Sequence, residues 1–422
     1  MSVVDGLAIS EPPRHRARAI SAPEWAAVYG MLAPFMANMP LFDANPIGNI
    51  IRYAIVGSGF ILIGANLKRV TANLRGGEIL LLFFFVITVF FEAGNAFATG
   101  YVADPYSAAK MILISLDVYL VAKLLDSRAA FERYMALYCT LAFIASIQVV
   151  ASVLADYFHV RRIMMINVST IPGEPVLLGM GGLLGTIMGG DFRSCFYFSE
   201  AGYFGQFLLP AFAYAFQTKR NWSMAVMALA FIGSLSTAAV PIAALIILIM
   251  TVRFGRFKSA LVVLAGIAIV AIPVIYLLDH TSLAVFTEQS KTGSYADKAS
   301  SLIKAYEIFR SHVLGVGMVD LNEFLIFFDP APGVIMMMLQ FGVLQLPLLL
   351  IIWGYLFYFG VIRPPDRASA ATALGIGAAM GAALILGPIM KYYTIFMLSA
   401  VITQIRIVNG ERGATRLPQQ SG

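Results

Sequence analysis

Apolar runs of near-membrane length recur along this chain from one end to the other, and they constrain its fold more than any single motif does. They lie at about 25–42, 47–66, 78–98, 107–125, 134–156, 196–216, 259–278, 333–360, 370–388 and 391–408, where a helical span needs about 20 apolar residues. With 59% hydrophobic and only 12% charged positions, too little polar surface remains for a soluble domain. The chain reads as an all-α polytopic membrane protein, because a helix satisfies its own backbone in lipid.

Loop charge sets the topology. Short cytoplasmic loops carry an excess of Lys and Arg, and the candidates are the leader with Arg14, Arg16 and Arg18, then Lys68/Arg69/Arg75, Arg128/Arg133, Lys219/Arg220, Arg253/Arg256/Lys258, Arg363/Arg367 and the tail with Arg406, Arg412 and Arg416. The net charge of +6 is thereby a topology signal, and no nucleic-acid partner is expected. Lys219/Arg220 and Arg253/Arg256 bracket the apolar run 222–251, so the chain crosses an even number of times between them. A split at Ser234–Thr237 gives two short spans, with a re-entrant hairpin as the competing picture.

The expectation is then about twelve spans in one membrane domain, 23–409. Polar tails at 1–22 and 410–422 face the cytoplasm and are expected to be disordered. No small-residue cleavage site follows the first run, which reads as an uncleaved span. Cys139 and Cys195 fall at opposite faces in this topology, and no disulfide is expected between them.

Two outward loops stand out by length, about 157–195 and 279–332. The first contains LLGMGGLLGTIMGG, a small-residue segment read as dipping back into the membrane. In the second, Ala299, Leu302, Ile303, Tyr306, Ile308 and Phe309 recur roughly at helical period, which predicts an amphipathic helix over 296–311 on the outer surface.

The stretch richest in candidate chemistry is RSCFYFSEAGYFGQFLLP, from Arg193 to Pro210, where Arg193 and Glu200 stand at the mouth of an apolar segment. Arg52, Lys110, Arg161, Arg162, Arg193, Lys298, Arg310 and Lys391 all fall on the outward side, against the charge pattern. Cations gathered there suit a phosphate-bearing ligand; singly, each could equally snorkel to lipid headgroups. Glu200 has the place of a general base for a sugar hydroxyl. The competing role is an ion pair with Arg193, about two helical turns away on the expected helix.

Asp329 in FDPAPG and His312 in RSHVLGVG are the other catalytic candidates, a solvated loop position being the alternative for both. Gly315 and Gly317 lack the strand–turn–helix context of a nucleotide loop. Within the spans lie Glu92, Asp117 and Gln148, and Asp117 near mid-span reads either as part of a proton or ion pathway or as a buried hydrogen bond. There is no HxxxH or CxxC spacing, no Walker loop and no Asp-x-Asp, so neither a metal nor a cofactor is expected.

With these residues in place, the chain resembles the O-antigen polymerase and ligase superfamily of bacterial envelope enzymes, the Wzy-type polymerases above all. The likeness rests on the span count, the Arg193–Pro210 entry into a span, LSTAA at 235–239, and HVLGVGMVD at 312–320 before FDPAPGVIMMMLQFGVL, and it covers about residues 190–345. It implies an undecaprenyl-pyrophosphate-linked glycan as donor, a second glycan's hydroxyl as acceptor, and work on the periplasmic face of the inner membrane, with a chain-length-regulating membrane protein as a further partner. By position, Arg193 is similar to the family's pyrophosphate-holding arginine, and Lys298 or Arg310 to its second cation. The ligase branch often has a His where this chain has Phe328, Asp329 and Pro330, which favours the polymerase. The family's Arg-to-Gly spacing of ten residues falls here on Phe204, one short of Gly205. A flippase for the same lipid-linked glycan, or another twelve-helix transporter, is the rival reading. No likeness between the two halves is visible, although many transporters are built from repeats. An envelope O-acyltransferase is a third, weaker reading, for which no paired His-Asp signature is seen.

Overall fold

The computed structural model describes residues 46–72, 116–157 except 126, four strands between 164 and 193, residues 201–234, 306–315 and scattered positions from 21 to 30 and from 248 to 403. The described body is helical. Helices α1 (Pro46–Gly57), α2 (Gly59–Ala65) and α3 (Leu67–Thr71) follow one another with breaks at Ser58 and Asn66. Both break residues turn a side chain back on the preceding turn: Ser58 Oγ donates to the Ile55 carbonyl at 2.6 Å and Asn66 Nδ2 to the Leu62 carbonyl at 3.0 Å. Lys68 and Arg69 close the last helix, where cations suit the negative end of the helix dipole. Arg52 sits in α1, towards the opposite end of the series.

Among the described residues one helix is long and apolar enough to cross a membrane by length and composition: α4 (Arg128–Tyr157), of which Arg128–Ser152 is the qualifying part. Its 30 residues extend about 45 Å. It begins six residues before the apolar run at 134, because Arg128 and Glu132 pair at i,i+4 (3.3 Å) and Ala130 N–H reaches Ser127 Oγ.

Two stripes divide the surface of α4 between them. Met135, Tyr138, Ala142, Ala145, Val149 and Ser152 recur at alternating steps of three and four and are buried. On the other side Leu137, Thr140, Ile144, Ile147, Ala151 and Leu154 recur at the same steps and are exposed. The buried stripe is rich in small residues, which lets neighbouring helices approach closely. Against it pack α5 (Ala201–Gln217) and α6 (Asn221–Gly233), which also touch each other. Phe212 of α5 meets Phe231 of α6 edge to face at 5.8 Å.

Helix α5 runs antiparallel to α4: Glu132 accepts from Tyr214 and Tyr138 donates to Phe207, so positions rising along one helix meet positions falling along the other. The turn into α6 is tight. Arg220 N–H bonds to the Ala215 carbonyl and Lys219 N–H to the Phe216 carbonyl, the paired bonds of a Schellman ending. Lys219 occupies the left-handed position, φ 58°, where glycine is usual. The backbone cost, roughly 1–2 kcal/mol, is tolerated where the sequence also needs a cation. Arg220 lies 5.7 Å from the Tyr214 ring.

Helix α6 stops at Gly233, with Ser234 Oγ turned back to the Phe231 carbonyl at 2.9 Å. The expected split of 222–251 thus begins with a real helix end at Ser234. At 13 residues the helix is about 20 Å long. The second half of that run, and most runs from 259 onward, lie outside the described residues.

Strands are confined, among the described residues, to the loop between α4 and α5. β1 (Met164–Asn167) pairs antiparallel with β2 (Leu177–Met180), and β3 (Thr186–Met188) with β4 (Asp191–Arg193). β2 lies against β3. The small-residue segment expected to dip into the membrane therefore supplies β2 and β3. Open hairpin edges would leave N–H and C=O groups unpaired in lipid, so these strands fit water or a protein surface.

Candidate functional site

The antiparallel packing of α4 and α5 decides what shares an end of the bundle. Arg128 and Arg133 at the start of α4 lie at the same end as Lys219 and Arg220 after α5. At the other end, the chain leaves α4 at Tyr157, forms the two hairpins and enters α5 at Ala201. Arg193 is the last residue of β4, in register with Thr186. In chain order it belongs to the connection away from the basic turns; Glu200, its expected ion-pair partner, lies outside the described residues.

Three contacts fix the entry helix α5. Pro210 carries no N–H, so the Gln206 carbonyl lacks its intrahelical donor. The next carbonyl, that of Phe207, accepts the Tyr138 hydroxyl at 2.5 Å, and the two rings meet edge to face at 5.0 Å. Beside the proline, a Cβ on Gly375 would collide with Ala213 Cβ and would lie 2.9 Å from the Leu209 carbonyl. A late helical turn at 374–377 is thus laid directly on the irregular part of α5. Tyr214 Oη, 3.5 Å from the Glu132 carbonyl, holds the far end.

The loop expected at 279–332 does contain a helical turn, over 306–311. Its faces divide differently from the expected apolar stripe: Ile303, Tyr306, Glu307 and Arg310 are exposed, while Ile308, Phe309 and His312 are half-buried. The periodicity ran together residues from both sides. His312 closes this turn through its N–H to the Ile308 carbonyl at 2.8 Å, and its Nδ1 lies 2.9 Å from Ser311 Oγ.

Beyond it, Gly315 takes φ 91° and Gly342 φ 60°, both left-handed. A side chain on Gly342 would strike the backbone of Leu314 and Gly315, and Val343 N–H donates to the Val313 carbonyl at 2.9 Å. The turn after His312 is therefore bonded backbone to backbone onto the 333–360 run. Gly315, read from sequence only as unfit for a nucleotide loop, has a packing role.

Of the candidate site residues, Arg310 and His312 stand two positions apart on this docked turn. Arg193 ends β4 and Arg52 lies in α1. Arg161, Arg162, Glu200, Lys298, Asp329 and Lys391 lie outside the described residues. Among the described residues no three of His, Cys, Asp and Glu gather as a metal site. What sequence reasoning missed are the supports: Tyr138, Gly342 and Gly375. A signal for the first existed, since a tyrosine inside an apolar run needs an acceptor and Pro210 disturbs the carbonyls of the facing helix.

No protein-family model and no curated protein sequence matches the chain.

Proposed function

We propose that the chain is an inner-membrane glycosyltransferase that polymerises undecaprenyl-pyrophosphate-linked repeat units on the periplasmic face, as an O-antigen or exopolysaccharide polymerase. Membrane residence is supported by the exposed apolar stripe on α4: a face of Leu137, Ile144, Ile147 and Leu154 suits lipid and penalises water. The observation that carries the site is that Arg193 ends β4 in the connection between α4 and α5, whereas Arg128, Arg133, Lys219 and Arg220 gather where α4 begins and α5 ends. With those basic turns read as cytoplasmic by the positive-inside convention, this connection faces outward, and Arg193 joins the other outward cations. Its planar fork fits the pyrophosphate of a lipid-linked donor.

Charge that develops on the leaving pyrophosphate is stabilised by fixed cations in a poorly hydrated mouth. Arg193 is the first of these, with Arg310 on the docked 306–311 turn as a second. An acid, Glu200 or Asp329, or His312 beside Arg310, takes the acceptor hydroxyl's proton as the glycosidic bond forms and the lipid pyrophosphate leaves. The balance needs no oxidant and no further co-substrate.

The test is elongation by the full chain in liposomes supplied with the lipid-linked repeat unit of its own host. A ladder of longer glycans, reduced at least ~100-fold in Arg193→Ala, is the expected outcome. Repeat units that cross the bilayer unchanged in size would replace this reading with a flippase, and elongation at the normal rate in Arg193→Ala would remove Arg193 from the site.

A further inference from the structure

Asp117 lies ten residues into the 107–125 run, in the helix 116–124, and is only 4% exposed. Two stretches of chain far from it in sequence close around it. From 25–30 comes Tyr29, whose hydroxyl donates to Asp117 Oδ1 at 2.8 Å. From α2 comes Gly59, packed so tightly that a Cβ there would lie 2.5 Å from Tyr29 Oη and 2.6 Å from Asp117 Oδ1. The Tyr29 hydroxyl also interacts with the Ser58 side chain and the Gly59 backbone, which ties the first and second stretches together. One turn along, Gly30 meets Val121 so closely that a Cβ would lie 2.7 Å from both its methyl groups. The seam is therefore shut by two glycines, Gly59 against the carboxyl and Gly30 one turn along.

The other carboxyl oxygen, Oδ2, is buried with no hydrogen-bond partner. Its surroundings on the same helix are Val118, Leu120, Val121 and Ala122, all buried and apolar. Among the described residues, the titratable and charged groups on the facing stretches nearest in sequence are Tyr29, already bonded to Oδ1, and Tyr53 in α1, a turn and a half before Gly59, with Arg52 next to it in the same helix. On Asp117's own helix, Tyr119 donates to the Val70 carbonyl, and Lys123 is six residues on, roughly 9 Å along the axis. No ion pair joins Lys123 to Asp117 among the described residues.

A negative charge closed into such a place, served by one hydroxyl donor, costs far more than a neutral acid with one unpaired hydroxyl. Ionisable groups at membrane depth persist where they bind something. We infer that Asp117 is a proton-binding site of the helical bundle: the carboxyl is held here as the neutral acid, Tyr29 donating to Oδ1 and the proton residing on Oδ2, and it exchanges only when the Tyr29–Gly59 seam opens. The ligand is a proton, and the device that gates it is helix packing. The site is distinct from the outward cations and does not rest on the glycan reading.

The full chain in liposomes, carrying aspartate labelled at its side-chain carboxyl, tests this by infrared spectroscopy at neutral pH. The expected result is a protonated-carboxyl carbonyl band that is lost in Asp117→Asn and moves to higher frequency in Tyr29→Phe, where one hydrogen bond is removed. In heavy water that band should shift slowly in the wild-type chain and several-fold faster in Gly59→Ala, which wedges the seam. Loss of carboxylate bands alone in Asp117→Asn would overturn the proposal, as would a protonated band that Tyr29→Phe leaves in place. Should Asp117→Asn fail to fold, the Tyr29→Phe shift decides, because it leaves Asp117 itself intact. An exchange rate unchanged in Gly59→Ala would overturn the gating by the seam. None of these outcomes depends on whether glycan is transferred.

Discussion

Single side chains in this protein act mainly by supplying a hydrogen bond where a helix is irregular. Tyr138 is the clearest instance. Its hydroxyl serves a backbone carbonyl on α5 next to the one that Pro210 leaves without its helical donor, and both groups are buried. Tyr138→Phe keeps the ring edge to face on Phe207 but removes one buried hydrogen bond, so the expected loss is about 0.5–1.5 kcal/mol of stability. A thermal melt in detergent measures it. Because α5 is the helix that Glu200 precedes, elongation should fall with it, whereas Tyr134→Phe, which leaves the Phe207 bond in place, should spare elongation. Glycine acts in the same economy of space, since Gly59, Gly342 and Gly375 each stand where a Cβ would meet another element. In the sequence these are three of 36 glycines, and nothing in their neighbours distinguishes them.

At the scale of elements, α4 carries the most information. Its two stripes have the same period and nearly the same apolar character, so no hydropathy pattern separates the face that packs on α5 and α6 from the face that does not. Residue size hints at it, with Ala142, Ala145, Ser146 and Ser152 on the packed side and Leu137, Ile144, Ile147 and Leu154 on the other. If the exposed stripe meets lipid, Ile147→Arg places a charge in the hydrocarbon and should cost about 2.5–3.5 kcal/mol of insertion. A membrane-insertion assay on α4 with its flanks reads this directly. A cost near zero would mean that the stripe faces water. The hairpins β1–β4 show the opposite case: the small-residue segment read as dipping into the membrane contributes Leu177–Met180 and Thr186–Met188, which pair as strands. Glycine-rich composition reports permissive backbone, and does not choose between the conformations it permits.

For the molecule as a whole, the question is which end faces which side. The α4–α5 pairing sets Arg128, Arg133, Lys219 and Arg220 together and the β1–β4 loop apart from them. Trp222, at the start of α6 beside the basic turn and 84% exposed, gives a handle on one end; Thr186, the first residue of β3, gives one in the hairpin loop. With Cys139 and Cys195 replaced by Ala, Trp222→Cys and Thr186→Cys chains should react with a membrane-impermeant thiol reagent from opposite sides. The former is expected only in inside-out vesicles and the latter only in intact spheroplasts. Labelling of both from the same side would undo the topology and with it the outward placing of Arg193.

Much of this was written in the linear pattern. Apolar runs and basic loops by themselves determined a helical body, the place of α4 and α5, the helix end at Ser234 and the turn at Lys219–Arg220, because those features depend on local hydropathy, charge and propensity. What only the tertiary structure decided is which of those helices touch and through which atoms: Tyr138 on Phe207, Tyr29 and Gly59 on Asp117, Gly342 on Leu314, and Arg193 on a strand within its long loop. Contacts of this kind are made between residues tens to hundreds of positions apart, and they are selected by shape and by the pairing of buried polar atoms, neither of which leaves a period in the sequence.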